Sequence, residues 1–433
     1  MADTAIVAAI AAPERPASDA GTGLYLHVPF CLRRCHYCDF NTYADRASLI
    51  PRYVAALRAD IAAVVAAGPT AVAPPAPPGV RASGSEPVGG DVRVRASGSE
   101  PVGGDVRVRA SGSEPWPVFT SVFVGGGTPT LLPADDLAVI LRDVAAALPL
   151  ASDAEVTVEA NPETVTVAGM RVLADAGVNR VSLGAQSFAP RVLAALGRWH
   201  APDAPLRALE ACRAAGIPRL SLDLIYGTPG ETDDDWAGSV RTALASGIDH
   251  LSAYALTVEP NTEYARRIRN GTAAEPDDDV QAAWMEQVEV LASAAGLRRY
   301  ELSNWARPGA ESRHNRTYWR GGDWVGIGAG AHGHWQGRRW WSVRSPERYV
   351  AAALAGRSTT AGDEVPDAEQ RRMERLMMGL RLVEGVERRA VAPLDETVVR
   401  QLSGAGLLRA DNERIVLTSD GMRLASAVTL RLL

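Results

Sequence analysis

The segment LYLHVPFCLRRCHYC, residues 24–38, joins a predicted strand directly to three closely spaced cysteines. Its first five residues are apolar apart from one histidine, which favours a short buried strand. Cys31, Cys35 and Cys38 follow with C-x3-C-x2-C spacing on a loop, so that three thiolates can face one centre. Iron–sulfur cubanes are usually held by four cysteines, and three leave one iron open to a small molecule. The segment therefore predicts a [4Fe-4S] cluster with an open iron.

Two other interpretations of these cysteines are open. They could bind zinc, with His36 or another histidine as the fourth ligand, or they could be inert buried residues. Zinc sites usually present two ligand pairs that are set apart in the sequence, whereas this chain has one cluster. A loop that carries a proline and two arginines is a poor place for inert cysteines. The iron–sulfur interpretation is favoured.

The composition excludes several classes of function. The chain has 433 residues and no lysine, so lysine Schiff-base and nucleophile chemistry are excluded. A net charge of -6 argues against a nucleic-acid partner. No stretch reaches the roughly 18 apolar residues that span a bilayer, and the N-terminus lacks a basic signal-like region. We expect a cytoplasmic protein without stable membrane insertion, in which Cys212 is a small buried apolar residue.

A Pro-, Ala-, Gly- and Ser-rich segment interrupts the first half of the chain. Within it, RASGSEPVGGDVRV occupies residues 81–94 and repeats at 95–108. A period this short, with only scattered valines to bury, does not match the usual solenoid repeats. We interpret residues 71–115 as a disordered insertion and residues 1–20 as a disordered N-terminus.

Outside the insertion, short β-rich runs alternate with helical stretches, which predicts a parallel α/β sheet in a complete or partial barrel. Loops at the carboxyl ends of such strands carry the chemistry. A compact tail with helix, hairpin and helix resembles a winged helix. The predicted strands cover 24–28, 121–124, 156–159, 180–183, 219–225 and 250–256. Their ends carry the three cysteines, the GGGTPT run at 125–130, Glu159, Gln186 and Asp223.

The cysteine motif, with an aromatic residue before its last cysteine, resembles the radical S-adenosylmethionine superfamily. This resemblance implies a partial (β/α) barrel and an open iron that chelates the amino and carboxylate groups of S-adenosylmethionine. The glycine-rich run resembles the cofactor loop after the second strand, where glycine permits close approach of the backbone. The cofactor-binding residues that the resemblance implies are Tyr25, Tyr37, Gly126, Gly127, Thr128, Glu159, Gln186, Arg198 and Asp223.

Within that superfamily, residues from about 24 to the C-terminus resemble the branch of oxygen-independent coproporphyrinogen III oxidase, in phrases such as FVGGGTPT and LDLIYGTPGET. Two details favour the HemW-type haem chaperones in this branch. The oxidases have a fourth cysteine where this chain has Phe40, and His314-Asn-Arg-Thr-Tyr318-Trp319 matches the chaperones' HNxxYW motif.

The HNxxYW motif suggests where haem would bind. A neutral histidine is a common axial ligand of haem iron, and Tyr318 and Trp319 offer flat apolar faces. A capped and packed loop is the alternative interpretation. The competing iron ligands are His200, His332 and His334.

The resemblance implies a haem-binding protein that passes haem to an unidentified acceptor protein. It points to no catalytic residue. The first alternative is radical decarboxylation of coproporphyrinogen III to protoporphyrinogen IX, and the second is a zinc-stabilised interaction protein. We expect four regions: the N-terminus 1–20, a radical S-adenosylmethionine barrel at 21–265, an extension with HNxxYW at 266–365, and a winged-helix-like domain at 366–433.

Overall fold

The computed structural model of the chain describes residues 20–72 and 114–433. The predicted disordered N-terminus, apart from its last residue, and nearly all of the predicted insertion lie outside the described residues. No helix within the described ranges is both long and apolar enough to cross a membrane.

The six predicted strands are present and pair in parallel in sequence order. Helices connect them, as a parallel sheet requires. The strands are β1 (Thr22–Val28), β2 (Phe119–Gly126), β3 (Leu150–Ala160), β4 (Arg180–Gln186), β5 (Arg219–Tyr226) and β6 (His250–Ala255). The helices of this region are α1 (Ile50–Ala67), α2 (Pro69–Val72), α3 (Ala134–Ala147), α4 (Val167–Asp175), α5 (Pro190–Leu196), α6 (Ala204–Ala214) and α7 (Asp233–Ala245), with 3-10 turns at Ala47–Leu49, Pro129–Leu131 and Pro162–Thr164.

Later segments extend the sheet on both sides. The ninth strand in sequence pairs in parallel with β1, so the sheet continues beyond its first strand, and the strand order leaves two free edges. The twelve strands thus form an open, partial barrel. The later elements are α8 (Glu263–Arg269), α9 (Asp278–Ala294), β7 (Arg298–Glu301), β8 (Asn304–Ala306), α10 (Arg313–Trp319), β9 (Asp323–Ile327), β10 (His332–Trp335), β11 (Arg338–Ser342), α11 (Pro346–Leu354) and β12 (Thr360–Glu364).

The small C-terminal α/β unit is confirmed as helices around a three-stranded antiparallel sheet. Its second and third strands form the predicted hairpin. Its elements are α12 (Ala368–Gly379), β13 (Val386–Glu387), a 3-10 turn (Arg388–Ala390), α13 (Glu396–Gly404), β14 (Leu408–Ala410), β15 (Arg414–Leu417), α14 (Ser419–Arg423) and α15 (Ala425–Leu432).

Strand β1 shows how the sheet separates its core from its inner face. Leu24, Leu26 and Val28 are fully buried in the main apolar cluster. Because side chains alternate along a strand, Tyr25 and His27 point to the opposite face. There they contact each other, with ring centroids 5.9 Å apart. Cys212 belongs to the apolar cluster with no exposed surface, as predicted, and is separate from the cysteine loop.

Candidate functional site

One cavity of about 130 Å³ opens at the carboxyl ends of strands β1 to β5. It brings together most of the residues that the sequence singles out. Ten of them line it: Cys31, Cys35, Tyr37, Cys38, Gly126, Gly127, Glu159, Gln186, Arg198 and Asp223. Two others do not line it. The Tyr25 hydroxyl lies 2.9 Å from Nδ1 of His27, and Thr128 lies behind Cys31, with its hydroxyl 3.8 Å from Sγ.

The cysteine loop follows β1, and backbone hydrogen bonds hold its two ends together. The Tyr43 amide donates to the Pro29 carbonyl at 2.7 Å, and the Cys31 amide donates to the Tyr43 carbonyl at 3.1 Å. The Cys38 amide donates to the Cys35 carbonyl at 3.3 Å. These backbone bonds close the loop and turn its three thiols toward the shared cavity.

Without a metal, burial favours the protonated form of two of these thiols. It raises the pKa of Cys31 to about 11 and also raises the pKa of Cys38. Metal ligation favours the thiolate strongly enough to reverse this. Cys35 has a positive neighbour, since Nη1 of Arg198 lies 3.5 Å from its Sγ. The pocket is therefore suited to thiolates that are neutralised by iron on one side and by arginine on the other.

Within the described ranges, no group of three or more His, Cys, Asp or Glu side chains is arranged to hold one metal ion. A cubane binds each cysteine through a different iron, so its ligands need not meet at one point. His36, the ligand that a zinc site would recruit, does not line the cavity. Its Nδ1 lies 3.1 Å from the Ala195 carbonyl. The three cysteines around one small cavity fit a cluster, and no histidine that could complete a zinc site is among the lining residues.

Two glycines let the second strand's loop approach the cysteines. Gly126 has φ +118°, and a Cβ there would lie 2.6 Å from the His27 ring. A Cβ on Gly127 would lie 2.5 Å from the Phe30 carbonyl oxygen and 3.0 Å from Sγ of Cys31. Any side chain at Gly127 would displace the cysteine loop, so glycine is required there for packing. At Gly126 the positive φ requires glycine as well.

Two carboxylates face the cavity in desolvated positions. Glu159 accepts the Gly126 amide at 3.0 Å, and burial raises its pKa to about 7. Burial also raises the pKa of Asp223, although the Ser182 hydroxyl donates to that carboxylate at 3.0 Å. Desolvated carboxylates at the mouth of a barrel mark a ligand-binding region. Gln186, at the end of β4, has φ +63°, a strained conformation that is more frequent at functional sites.

Arg198 links the cysteine loop to the ends of two strands. Its guanidinium donates to Oδ1 of Asn161 at 2.8 Å and to the Gly184 carbonyl at 3.1 Å, in addition to its contact with Cys35. Asn161 in turn donates to the Thr128 hydroxyl at 2.7 Å. The sequence reasoning missed Asn161 and Ser182. The alternation of side chains along a strand could have identified both. Asn161 lies two residues after Glu159, and Ser182 lies two residues before Gly184, so each shares a face with a residue that lines the cavity.

The three residues of HNxxYW that were expected to contact haem lie on α10, in different surroundings. His314 is 1% exposed. Its Nδ1 is 2.9 Å from the Ser121 hydroxyl and its Nε2 is 2.7 Å from the Tyr318 hydroxyl, and burial lowers its pKa to about 3. Trp319 instead lies under the Arg381 guanidinium, 5.5 Å from the ring centre. As observed, His314 offers no free nitrogen to iron, and its role as a ligand stays a prediction.

The competing histidines occupy three further positions. His200 is 6% exposed and lies 3.5 Å from Glu163, at a separate cavity of about 390 Å³. His332 and His334 lie on β10, where His332 is exposed and His334 is partly buried. Nδ1 of His334 is 3.1 Å from the Gly322 carbonyl.

Comparison with known proteins is consistent with this geometry. The sequence profile of the radical SAM superfamily matches residues 107–243, and that of the HemN C-terminal domain matches residues 367–424. The solved structure of coproporphyrinogen III oxidase (HemN) from Escherichia coli, a radical SAM enzyme, superposes with a TM-score of 0.73 over 97% of this chain and 90% of that one. At 18% identity this likeness shows the fold.

Proteins named heme chaperone HemW are much closer in sequence. The one from Mycobacterium tuberculosis is 41% identical over 95% of this chain and 94% of its own length. The one from Bacillus subtilis is 31% identical over 93% of this chain and 97% of its own length. The chain therefore belongs to the HemW family of the radical SAM superfamily.

Proposed function

We propose that the protein binds haem and transfers it to an acceptor protein, and that it carries a [4Fe-4S] cluster and S-adenosylmethionine. The observation that carries this proposal is the likeness, over almost the whole chain, to proteins named heme chaperone. The cavity with three cysteines and the exposed His332 of β10 support it, because they offer two separate places for a cluster and for cargo.

The cysteine cavity would hold both cofactors. When bound, the cluster would supply an open iron that chelates the amino and carboxylate groups of S-adenosylmethionine. Cys31, Cys35 and Cys38 would hold its other irons. The guanidinium of Arg198 would stabilise the Cys35 thiolate. Glu159 and Asp223 would accept hydrogen bonds from amino or hydroxyl groups of S-adenosylmethionine, and ionised carboxylates would also attract its positive charge.

The HNxxYW segment would support the haem region. The His314 imidazole fixes the Tyr318 hydroxyl at 2.7 Å, and the Tyr318 ring packs edge-on against Trp324 with centroids 4.6 Å apart. Buried aromatic rings that are fixed in this way give a rigid apolar wall for a macrocycle. In this arrangement the motif shapes the site even while His314 itself stays buried.

Coproporphyrinogen III decarboxylation is the alternative that the oxidase fold raises. Phe40 lines the cavity with 64% of its surface exposed, at the position where the oxidases have a fourth cysteine. A phenyl ring there supplies neither a ligand nor a hydrogen-bond donor. The chain thus departs from the oxidases at a position next to the cofactors, which favours haem transfer.

The proposal is tested by reconstituting the cluster without oxygen and titrating haem while following the Soret band. Iron and sulfide analysis measures the cluster, with Cys31→Ala as the variant expected to lose it and Cys212→Ala as the matched control. Saturation near one haem per chain supports the proposal.

The other outcomes separate the alternatives. No specific haem binding, together with anaerobic turnover of coproporphyrinogen III, would establish the decarboxylase. A colourless protein that contains zinc would establish the zinc-stabilised interaction protein.

A further inference from the structure

Strands β9, β10 and β11 together present one face that the cysteine cavity does not use. His334 pairs with Trp324 of β9 and with Arg339 of β11, and His332 pairs with Trp341. Residues directly opposite each other, and residues two apart along a strand, share a face of a sheet. Trp324, His332, His334, Arg339 and Trp341 therefore lie together, and we refer to these five residues as the histidine face.

Among the histidines considered for haem, only some have a nitrogen available to iron. Both ring nitrogens of His314 are hydrogen-bonded and the residue is buried. His200 is enclosed, with no exposed side-chain surface. His332 is exposed, and within the described part of the chain no residue hydrogen-bonds its ring. An iron ligand needs a lone pair that iron can reach, and His332 meets this requirement without rearrangement.

The neighbours of His332 provide flat apolar surface for a macrocycle. The Trp341 ring lies 6.2 Å from it at an interplanar angle of 30°. On the other side of the face, the Trp324 ring lies tilted against His334 with centroids 5.1 Å apart, and Tyr318 packs edge-on against Trp324 at 4.6 Å. This row of rings is fixed, since Nε1 of Trp324 donates to the His332 carbonyl at 2.9 Å. Rigid aromatic groups beside an accessible imidazole are what porphyrin binding requires.

The charges near His332 fit a dianionic ligand that carries carboxylates. Partial burial, Arg344 and Arg339 lower the pKa of His332, so its imidazole is neutral near pH 7 and can bind metal. Arg339 is already paired with Glu364 and Glu374. Arg344 is exposed, and its only described side-chain bond is a long one of 3.4 Å to the Asn41 amide oxygen. Its guanidinium is the group that can bind a propionate.

We propose that haem docks on the histidine face, with His332 as its axial iron ligand and Arg344 as the partner of a propionate. This inference rests on the proposed function and specifies its binding site. His334 has a different task, because the Gly322 carbonyl and the Asp323 carboxylate, 3.1 and 3.4 Å from Nδ1, hold its ring against Trp324. In this arrangement His334 positions the aromatic wall and does not bind the iron.

The test is haem titration of the full-length protein with reconstituted cluster, comparing wild type, His332→Ala and His334→Ala. Difference absorption spectra give the affinity, and electron paramagnetic resonance of the ferric complex reports the iron ligand. We expect His332→Ala to weaken haem binding at least tenfold, since about tenfold is the smallest loss usual even for a residue that only hydrogen-bonds a metal ligand. We also expect this variant to lose the spectroscopic signal of histidine-ligated iron. We expect His334→Ala to keep that signal.

Two further variants make the assignment specific. His332→Met should retain haem but change the spectrum to that of a thioether-ligated iron, and Arg344→Gln should weaken haem binding without altering the spectrum. Because both side chains are exposed, circular dichroism should be unchanged in both variants.

The possible failures are distinguishable. Haem binding by wild type that His332→Ala leaves intact, or that only His334→Ala or His314→Ala removes, would overturn the assignment and preserve the proposed function. Absence of specific haem binding by wild type would overturn both.

Discussion

Glu159 gives the most quantitative prediction, since its proton couples the stability of the cofactor-free protein to pH. Burial raises its pKa from 4.5 to about 7, and the nearby Asp223 adds to the rise. A raised pKa means that the folded state binds the proton more tightly than the unfolded chain does. Stability from this group is therefore fully present below pH 4.5 and is lost as pH rises toward about 7.

The magnitude follows from the shift of the pKa. The difference between 4.5 and about 7, at 1.36 kcal/mol per unit, corresponds to roughly 3 kcal/mol. Glu159→Gln removes the titration but keeps an oxygen that can accept the Gly126 amide. We expect the variant to lack this pH dependence, so that the unfolding free energy of wild type minus that of the variant falls by roughly 3 kcal/mol between pH 4.5 and 8.

Urea unfolding of the reduced, metal-free protein at several pH values measures this difference. Glu369→Gln serves as a control on the surface. The Arg372 hydrogen bond lowers the pKa of Glu369, so any slope from that group has the opposite sign, with stability lost as pH falls. A difference between wild type and Glu159→Gln that stays constant across the range would refute the reasoning.

Three further predictions concern the cysteine cavity. Gly127→Ala should prevent stoichiometric cluster assembly, because its Cβ would lie 2.5 Å from a backbone oxygen. The control Gly238→Ala has open space at its Cβ and should assemble the cluster normally. Iron analysis and absorbance spectra of the two variants measure the difference. Arg198→Met should weaken S-adenosylmethionine binding about tenfold or more by removing the charge beside Cys35, and calorimetry that finds unchanged affinity would contradict this. Cys31→Ala should lose the cluster iron, whereas Cys212→Ala should retain it and cost about 1 kcal/mol of stability for a small buried void, as measured by urea unfolding.

Local patterns in the sequence carried a large part of the fold. The six parallel strands follow from short β-rich runs that alternate with helical stretches, and both signals lie within a few residues of one another. The cysteine loop and the glycines at 126 and 127 were recognisable for the same reason. Chain order then placed most of the polar strand ends at one mouth, because parallel strands all end at the same edge.

The tertiary structure decided what each histidine can do. His314 looked like an iron ligand from its motif, but the docking of α10 against β2 buries it and bonds both of its nitrogens. His332 lies beside Trp341 because of the register between β10 and β11. These strands belong to the part of the sheet that β9 connects to β1. The hydrogen bond from Arg198 to Asn161 joins two segments 37 residues apart. The sequence by itself determined the residue types, the strands and the order of the strand ends. Which side chains are accessible, paired or desolvated depends on contacts between segments up to some 300 residues apart, and no local pattern encodes those contacts.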